Sequence, residues 1–173
     1  MNKRMVAWHE AGHAVVGRYL GLPLTSVGIW QETITRPNGS TFKRWVGEVK
    51  AAYGRLSPHK QRIASVAGSV AVYCADMIED RSSESDWELM FDEIADRMSE
   101  SDWTVNYEGR NVTDDPGTIS EARWRAWYKA MKQAYALLNP ETGPLWRELQ
   151  REQRKLLRRN WVCTFALPNK VAA

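Results

Sequence analysis

The sequence predicts a mainly α-helical domain of the α+β class, with a small β-hairpin beside its first helix. Apolar residues recur at helical spacing in five segments, and two segments rich in β-branched and aromatic residues lie between the first two. With 173 residues and 43% hydrophobic content, the chain is long enough to bury a core. We therefore expect one domain over residues 1–173, made of a core at 1–105 and a C-terminal helical pair at 117–160.

The first predicted helix contains the motif His9-Glu10-Ala11-Gly12-His13. Its apolar residues recur at helical spacing: Val6, Trp8, Ala11, Val15, Val16, Tyr19 and Leu20. Because His9 and His13 are four residues apart, both imidazoles project from one face of the helix and can bind one metal ion. Glu10 stands beside the open metal position, where a carboxylate can deprotonate a bound water. Such a short pattern also arises by chance, but its place within a helix favours one catalytic zinc per chain.

Two glycines lie inside this helix, although glycine is unfavourable there. Gly12 and Gly17 each cost up to about 1 kcal/mol relative to alanine. We expect that another backbone, or substrate, approaches the helix closely at these positions.

The remaining elements follow in order. Segments 24–29 and 42–52 flank the turn sequence Arg36-Pro37-Asn38-Gly39 and predict the hairpin. Ser57 and Pro58 begin a second helix, whose nearly continuous apolar segment 63–72 predicts a buried central position.

A third helix is expected to begin at Trp87 and to continue to Met98, after the cap-type residues 82–86. Residues 106–117 are expected to form a loop. Segments 119–138 and 144–159 predict the C-terminal helical pair.

A catalytic zinc usually has three protein ligands, so a third must come from outside the first helix. His59 is the one remaining imidazole. The nearby carboxylates belong to the end of the second helix and the start of the third: Asp76, Glu79, Asp80, Glu84, Asp86 and Glu88. Asp86 at a helix N-terminus is a candidate ligand, and a simple helix cap is an equally good interpretation. The pentapeptide Ser-Glu-Ser-Asp-Trp occurs at both 83–87 and 99–103, and we interpret this repetition as coincidence.

The segment Val-Ala-Trp-His-Glu-Ala-Gly-His-Ala-Val-Val at 6–16 resembles the zinc-site helix of FtsH-type proteases, which are membrane-anchored AAA+ zinc proteases. The order that follows is also similar, with a hairpin, a buried helix containing Ala-Gly at 63–74, and a Ser-rich turn reaching Asp86. The resemblance covers most of residues 5–100. It implies a zincin-like fold and peptidase activity, and it favours Asp86 as the third zinc ligand because 83–88 matches the stretch that holds the family's aspartate.

The sequence also departs from that family. We expect neither the AAA+ motor nor the membrane anchor, since the sequence starts just before the zinc helix and contains no glycine-rich phosphate loop. Val72 and Tyr73 stand where the family usually carries paired glutamates that support the metal. We therefore expect a standalone peptidase domain that does not itself use ATP.

These observations predict a zinc metalloendopeptidase that hydrolyses flexible or unfolded polypeptides, held extended along an edge of the hairpin. A separate unfoldase or regulator is compatible with this function, and the sequence does not determine the oligomeric state. The alternative is a non-catalytic zinc module that binds a peptide or partner. Retention of Glu10 favours the enzyme, because a structural zinc needs no base.

Composition and charge bear on the location of the protein and on its partners. Cys74 and Cys163 lack CxxC spacing, and no signal peptide or membrane span is apparent, so we expect a cytoplasmic location. The net charge is only +3. The basic C-terminal segment consists of Arg147, Arg151, Arg154, Lys155, Arg158 and Arg159. We interpret it as a solvated helix face partly balanced by Glu148 and Glu152, which makes a nucleic-acid partner the less favoured expectation.

Overall fold

The computed structural model describes residues 1–52, 55–80, 87–159 and 163–164. Its helices are α1 (Lys3–Tyr19), α2 (Pro58–Asp80), α3 (Trp87–Asp96), α4 (Glu121–Leu138) and α5 (Trp146–Arg159). Its strands are β1 (Leu24–Thr35), β2 (Thr41–Ala51), β3 (Thr104–Tyr107), β4 (Arg110–Thr113) and β5 (Cys163–Thr164). With 54% of the described residues helical, the mainly α, α+β class predicted from the sequence is confirmed.

Helix α1 lies at the centre of the fold, packed against α2, α5 and the β1–β2 hairpin. The side chain of Asn2 caps its first turn by accepting a hydrogen bond from the backbone N–H of Met5 at 2.9 Å. A Cβ atom at Gly12 would lie 2.7 Å from the Cβ of Ala71 and 2.9 Å from the carbonyl carbon of Ala67. The close backbone approach predicted at Gly12 is therefore confirmed, and the approaching backbone is that of α2.

The predicted hairpin is also confirmed, and its first strand is longer than expected. β1 and β2 pair antiparallel from Thr35 opposite Thr41 to Ser26 opposite Lys50, with an irregularity next to Leu24. Gly39 closes the connecting turn with a positive φ of 81°. The strand order is β2-β1-β5, so β2 forms an edge of the sheet as far as the described residues extend.

The prediction of a loop at 106–117 was wrong for its first half. Strands β3 and β4 form an antiparallel hairpin there, closed by Glu108 and Gly109, which have positive φ values of 50° and 81°. This is the backbone geometry of a two-residue hairpin turn, which usually carries Asn-Gly or Asp-Gly. Because Glu108 stands at the first position, the sequence lacks the dipeptide that would have predicted the turn. The side-chain amide of Gln61 pairs with both the N–H and the C=O of Asn106 and ties the hairpin to α2.

The C-terminal helical pair is confirmed as well, with α4 packed on α2 and α5 on α1. Beneath α4, the indole N–H of buried Trp127 donates to Asp114 Oδ2 at 2.7 Å, and Arg123 Nη1 lies 2.8 Å from Asp114 Oδ1. Within the described ranges, no helix combines the length and apolar character that crossing a bilayer requires.

Candidate metal centre

Two buried imidazoles of α1 face each other, as the spacing of the motif predicts. The Nε2 atoms of His9 and His13 are 3.0 Å apart. The Nδ1 atom of His13 lies 2.8 Å from the carbonyl oxygen of Ala64 on α2. Because a carbonyl oxygen only accepts, Nδ1 carries a proton, and once Nε2 is deprotonated its lone pair faces the centre. The fixed tautomer is the one that a metal ligand needs.

The third side chain at this centre is that of Asp102, in the turn between α3 and β3. Its Oδ1 lies 3.2 Å from His13 Nε2, and its Oδ2 lies 3.5 Å from His9 Nε2. Ser99 orients the carboxylate, since its backbone N–H and its hydroxyl donate to Oδ2 at 2.8 and 2.9 Å. The donor atoms of His9, His13 and Asp102 all lie within 4.8 Å of one another, and all three residues are buried.

The predicted third ligand, Asp86, lies outside the described residues. Asp102 is not among the ligands predicted from the sequence, although a signal was present: it is the aspartate of the second Ser-Glu-Ser-Asp-Trp copy, which we interpreted as coincidence. Two other candidates lie elsewhere. His59 contacts Gln133 at 2.9 Å on the surface, and Asp76 forms an ion pair with Arg97.

The donor set fits a metal cation. Three buried electron-pair donors face one another, an arrangement that is favourable only when a proton or a metal cation supplies positive charge among them. Burial alone would lower the pKa of His13, but Asp102, Glu10 and the Ala64 carbonyl raise it to about 9. Burial alone would raise the pKa of Asp102, but His13 and His9 hold it well below its usual range. Two nitrogens and one carboxylate oxygen are ligands that suit zinc.

Glycine 68 on α2 makes room for the histidine pair. A Cβ atom at this position would lie 2.8 Å from Cε1 of His9 and 2.9 Å from Cδ2 of His13. Any larger residue would push the imidazoles out of their shared position. The small residues of α2 therefore serve the centre as well as the packing of the two helices.

Glu10 lies beside the centre and is almost completely buried. Burial raises the pKa of its carboxyl, and the neighbouring His13 and His9 offset part of that rise. The edge strand β2 passes directly over it: a Cβ atom at Gly47 would lie 2.7 Å from both Cδ and Oε1 of Glu10. In β2, Trp45, Gly47 and Val49 alternate toward the core, and the Glu10 side chain occupies the gap that the glycine leaves.

The centre forms part of the lining of an open cleft of about 960 Å³. One wall consists of β2 residues 44–49. The other wall carries uncharged hydrogen-bonding side chains: Ser99, Ser101, Thr104, Asn106 and Asn111. His9, Glu10, His13 and Asp102 also line the cleft, so the metal-binding atoms and the carboxylate of Glu10 border an open space.

Comparison with protein-family models gives no match for this chain, and comparison with curated proteins gives none either. The resemblance to FtsH-type proteases therefore stays a prediction. The chemistry of the centre has to be inferred from its own residues.

Proposed function

We propose that the protein is a zinc-dependent peptidase that hydrolyses peptide bonds in flexible or unfolded polypeptides. The observation that carries this proposal is the convergence of His9, His13 and Asp102 in an open cleft, next to the buried carboxylate of Glu10. Local sequence places three of these four residues on one helical turn. The fourth comes from a turn 89 residues beyond His13.

The number of ligands favours a catalytic over a structural metal. A structural zinc is closed by four protein ligands, whereas a catalytic zinc keeps three and leaves one position open. Within the described part of the chain, only His9, His13 and Asp102 converge as metal-binding side chains. When bound there, zinc would polarise the scissile carbonyl and lower the pKa of a water molecule toward neutrality.

Glu10 supplies the proton transfer. Its carboxylate accepts a proton from the attacking water and then donates it to the nitrogen of the leaving amine. Because burial raises the pKa of this carboxyl, the proton is held more readily than on an exposed glutamate. Gly47 leaves the space in which the carboxylate sits and so sets its position.

The cleft favours an extended substrate. β2 is an edge strand, and the backbone groups on its outer side can pair with a peptide that lies along it. The hydroxyl and amide groups of the opposite wall can bond to the other edge of that peptide. Only a flexible segment or an unfolded chain offers several consecutive residues in extended form, so we expect folded domains to resist cleavage.

Replacing Glu10 by glutamine tests the proposal, because Glu10→Gln keeps the size of the side chain but removes the base. Hydrolysis of casein or of an unstructured peptide library should fall by at least about a hundredfold, while zinc content measured by mass spectrometry persists. Glu141→Gln, an exposed glutamate between α4 and α5, is the matched control and should leave the rate unchanged. A wild-type protein that binds zinc yet cleaves nothing in the library would instead be a peptide-binding module.

A further inference from the structure

The outward side of α5 carries a line of arginines. Arg147, Arg151, Arg154 and Arg158 are spaced by four, three and four residues, and all are exposed. At 3.6 residues per turn they fall within an arc of about 60° and extend over about 16 Å of the helix. We call these four residues the arginine line.

The carboxylates of α5 do not neutralise this line. Arg18 of α1 lies 3.3 Å from Glu148 and 3.4 Å from Glu152, and Lys155 lies 3.2 Å from Glu152. None of the four arginines of the line forms an ion pair in the part of the chain that the structure describes. From the sequence we expected Glu148 and Glu152 to balance part of the arginine charge. In the structure both glutamates pair with Arg18, and Glu152 also pairs with Lys155.

Helix stability does not account for the line. Like charges four residues apart, as at 147 and 151 or at 154 and 158, destabilise a helix by about 0.2–0.5 kcal/mol per pair. Arg147 lies in the first turn, where the helix dipole disfavours a positive charge. Lysine would serve solubility equally well, yet all four positions carry the planar guanidinium that binds phosphate in bidentate fashion.

We infer that the arginine line binds the phosphate backbone of a nucleic acid, without reading its sequence. Phosphates are the anions that occur in a line of this length, since duplex DNA carries a charge per roughly 1.7 Å of its axis. A membrane surface is the weaker fit. The apolar side of α5, with Trp146, Leu149 and Leu156, is buried within the fold and is not free to insert into lipid. This inference is independent of the peptidase proposal.

The test measures binding of the zinc-loaded protein to a fluorescent duplex of mixed sequence by anisotropy over a range of salt concentrations. Four phosphate contacts predict a slope of about −3 to −4 in log K against log salt, which is about a hundredfold loss between 50 and 200 mM. Replacing all four arginines of the line by glutamine should abolish binding at low salt. The control variant removes the same charge from exposed positions on other elements: Lys43, Lys60, Arg110 and Lys129, each to glutamine.

The inference holds if the control variant binds like the wild type while the arginine-line variant does not, with both variants retaining the wild-type circular dichroism and zinc content. Equal losses in the two variants would overturn it, because only net charge would then matter. It would also be overturned if the wild type bound phosphatidylserine vesicles but no duplex.

Discussion

Two aspartates that flank the β3–β4 hairpin, Asp102 and Asp114, are both buried, yet the groups that contact their carboxylates differ. Asp114 is 1% exposed, and its partners are the Trp127 indole N–H at 2.7 Å and the Arg123 guanidinium at 2.8 Å. Asp102 is 6% exposed, and Ser99 donates to one of its oxygens. The Nε2 atoms of His13 and His9 also face it, at 3.2 and 3.5 Å.

Burial alone therefore does not distinguish a functional carboxylate from a structural one. Asp114 is compensated without a metal, because the indole N–H of Trp127 and the permanent charge of Arg123 offset the cost of removing it from water. Asp102 faces two titratable imidazoles, so its charge is balanced by a proton on His13 or by a metal cation that takes the place of that proton. The partners of a buried charge, more than its depth, indicate whether it awaits a ligand.

The largest expected effect is on zinc affinity, and it distinguishes Asp102 from Asp86, the two aspartates of the repeated pentapeptide. Asp102→Ala should weaken zinc binding by at least about a hundredfold, because it removes one of three ligands. Asp86→Ala should leave zinc affinity unchanged if Asp102 is the third ligand. Competition with a chromogenic chelator measures both. Loss of zinc in Asp86→Ala with retention in Asp102→Ala would restore the ligand set that the family resemblance implies.

Replacing Asp114 should change the stability of the fold and leave zinc binding unchanged. Asp114→Asn should lower the free energy of unfolding by about 2 kcal/mol, less than for a fully buried ion pair because Arg123 is partly exposed. Zinc content and peptidase rate per folded molecule should not change. Urea unfolding measures the effect, and Asp115→Asn, at the exposed neighbouring position, is the control. A loss of zinc in Asp114→Asn would remove the contrast between the two sites.

Two glycines should separate proton transfer from metal binding. Gly47→Ala places a methyl group against the Glu10 carboxylate, so kcat/KM should fall at least about tenfold while zinc stays bound. Gly68→Ala places its methyl group against the histidines, so zinc affinity should fall. The stability cost of Gly47→Ala should vanish in a Glu10→Ala background, which thermal unfolding measures without reference to activity. If Gly47→Ala still lowers the stability of the Glu10→Ala protein, then Gly47 is needed by strand β2 itself and not by the Glu10 side chain.

The smallest expected effect concerns the support of Asp102. Ser99→Ala removes the hydroxyl that donates to Oδ2 but keeps the backbone N–H that donates to the same atom. Zinc affinity should fall by up to about tenfold. Ser40→Ala, at an exposed position in the turn between β1 and β2, provides the control. An unchanged affinity in Ser99→Ala would mean that the backbone N–H alone orients the carboxylate.

The sequence predicted the part of the site that one helical turn determines. His9, Glu10 and His13 follow from spacing alone, because the geometry of a helix is local. Asp102 depends on the packing of the β3–β4 hairpin against α2 through Gln61, which no local pattern encodes. The repeated pentapeptide showed two equivalent aspartates, and only the tertiary fold of the described residues shows that Asp102 reaches the histidines.

The helices and strands likewise divide into those that local sequence predicts and those that it does not. The five helices and the first hairpin had clear periodicity and turn residues, and the described chain contains all of them. The β3–β4 hairpin was missed because its strands are four residues long and its turn begins with glutamate instead of asparagine or aspartate. The ion pairs of α5 likewise required the structure, since Arg18 reaches Glu148 and Glu152 from a distant part of the chain.

The tight crossing of α1 over α2 has a consequence for tracing the ancestry of this protein. Gly12, Ala67 and Ala71 set the distance between the two helices, and Gly68 on the same stretch of α2 sets the room for the histidines. A substitution that separates the helices would also pull His13 away from the carbonyl of Ala64. A change at these small residues should therefore also displace the ligands. Distant relatives should be sought with a paired pattern, the histidine motif together with small residues about 55 positions later, more than with the histidines alone.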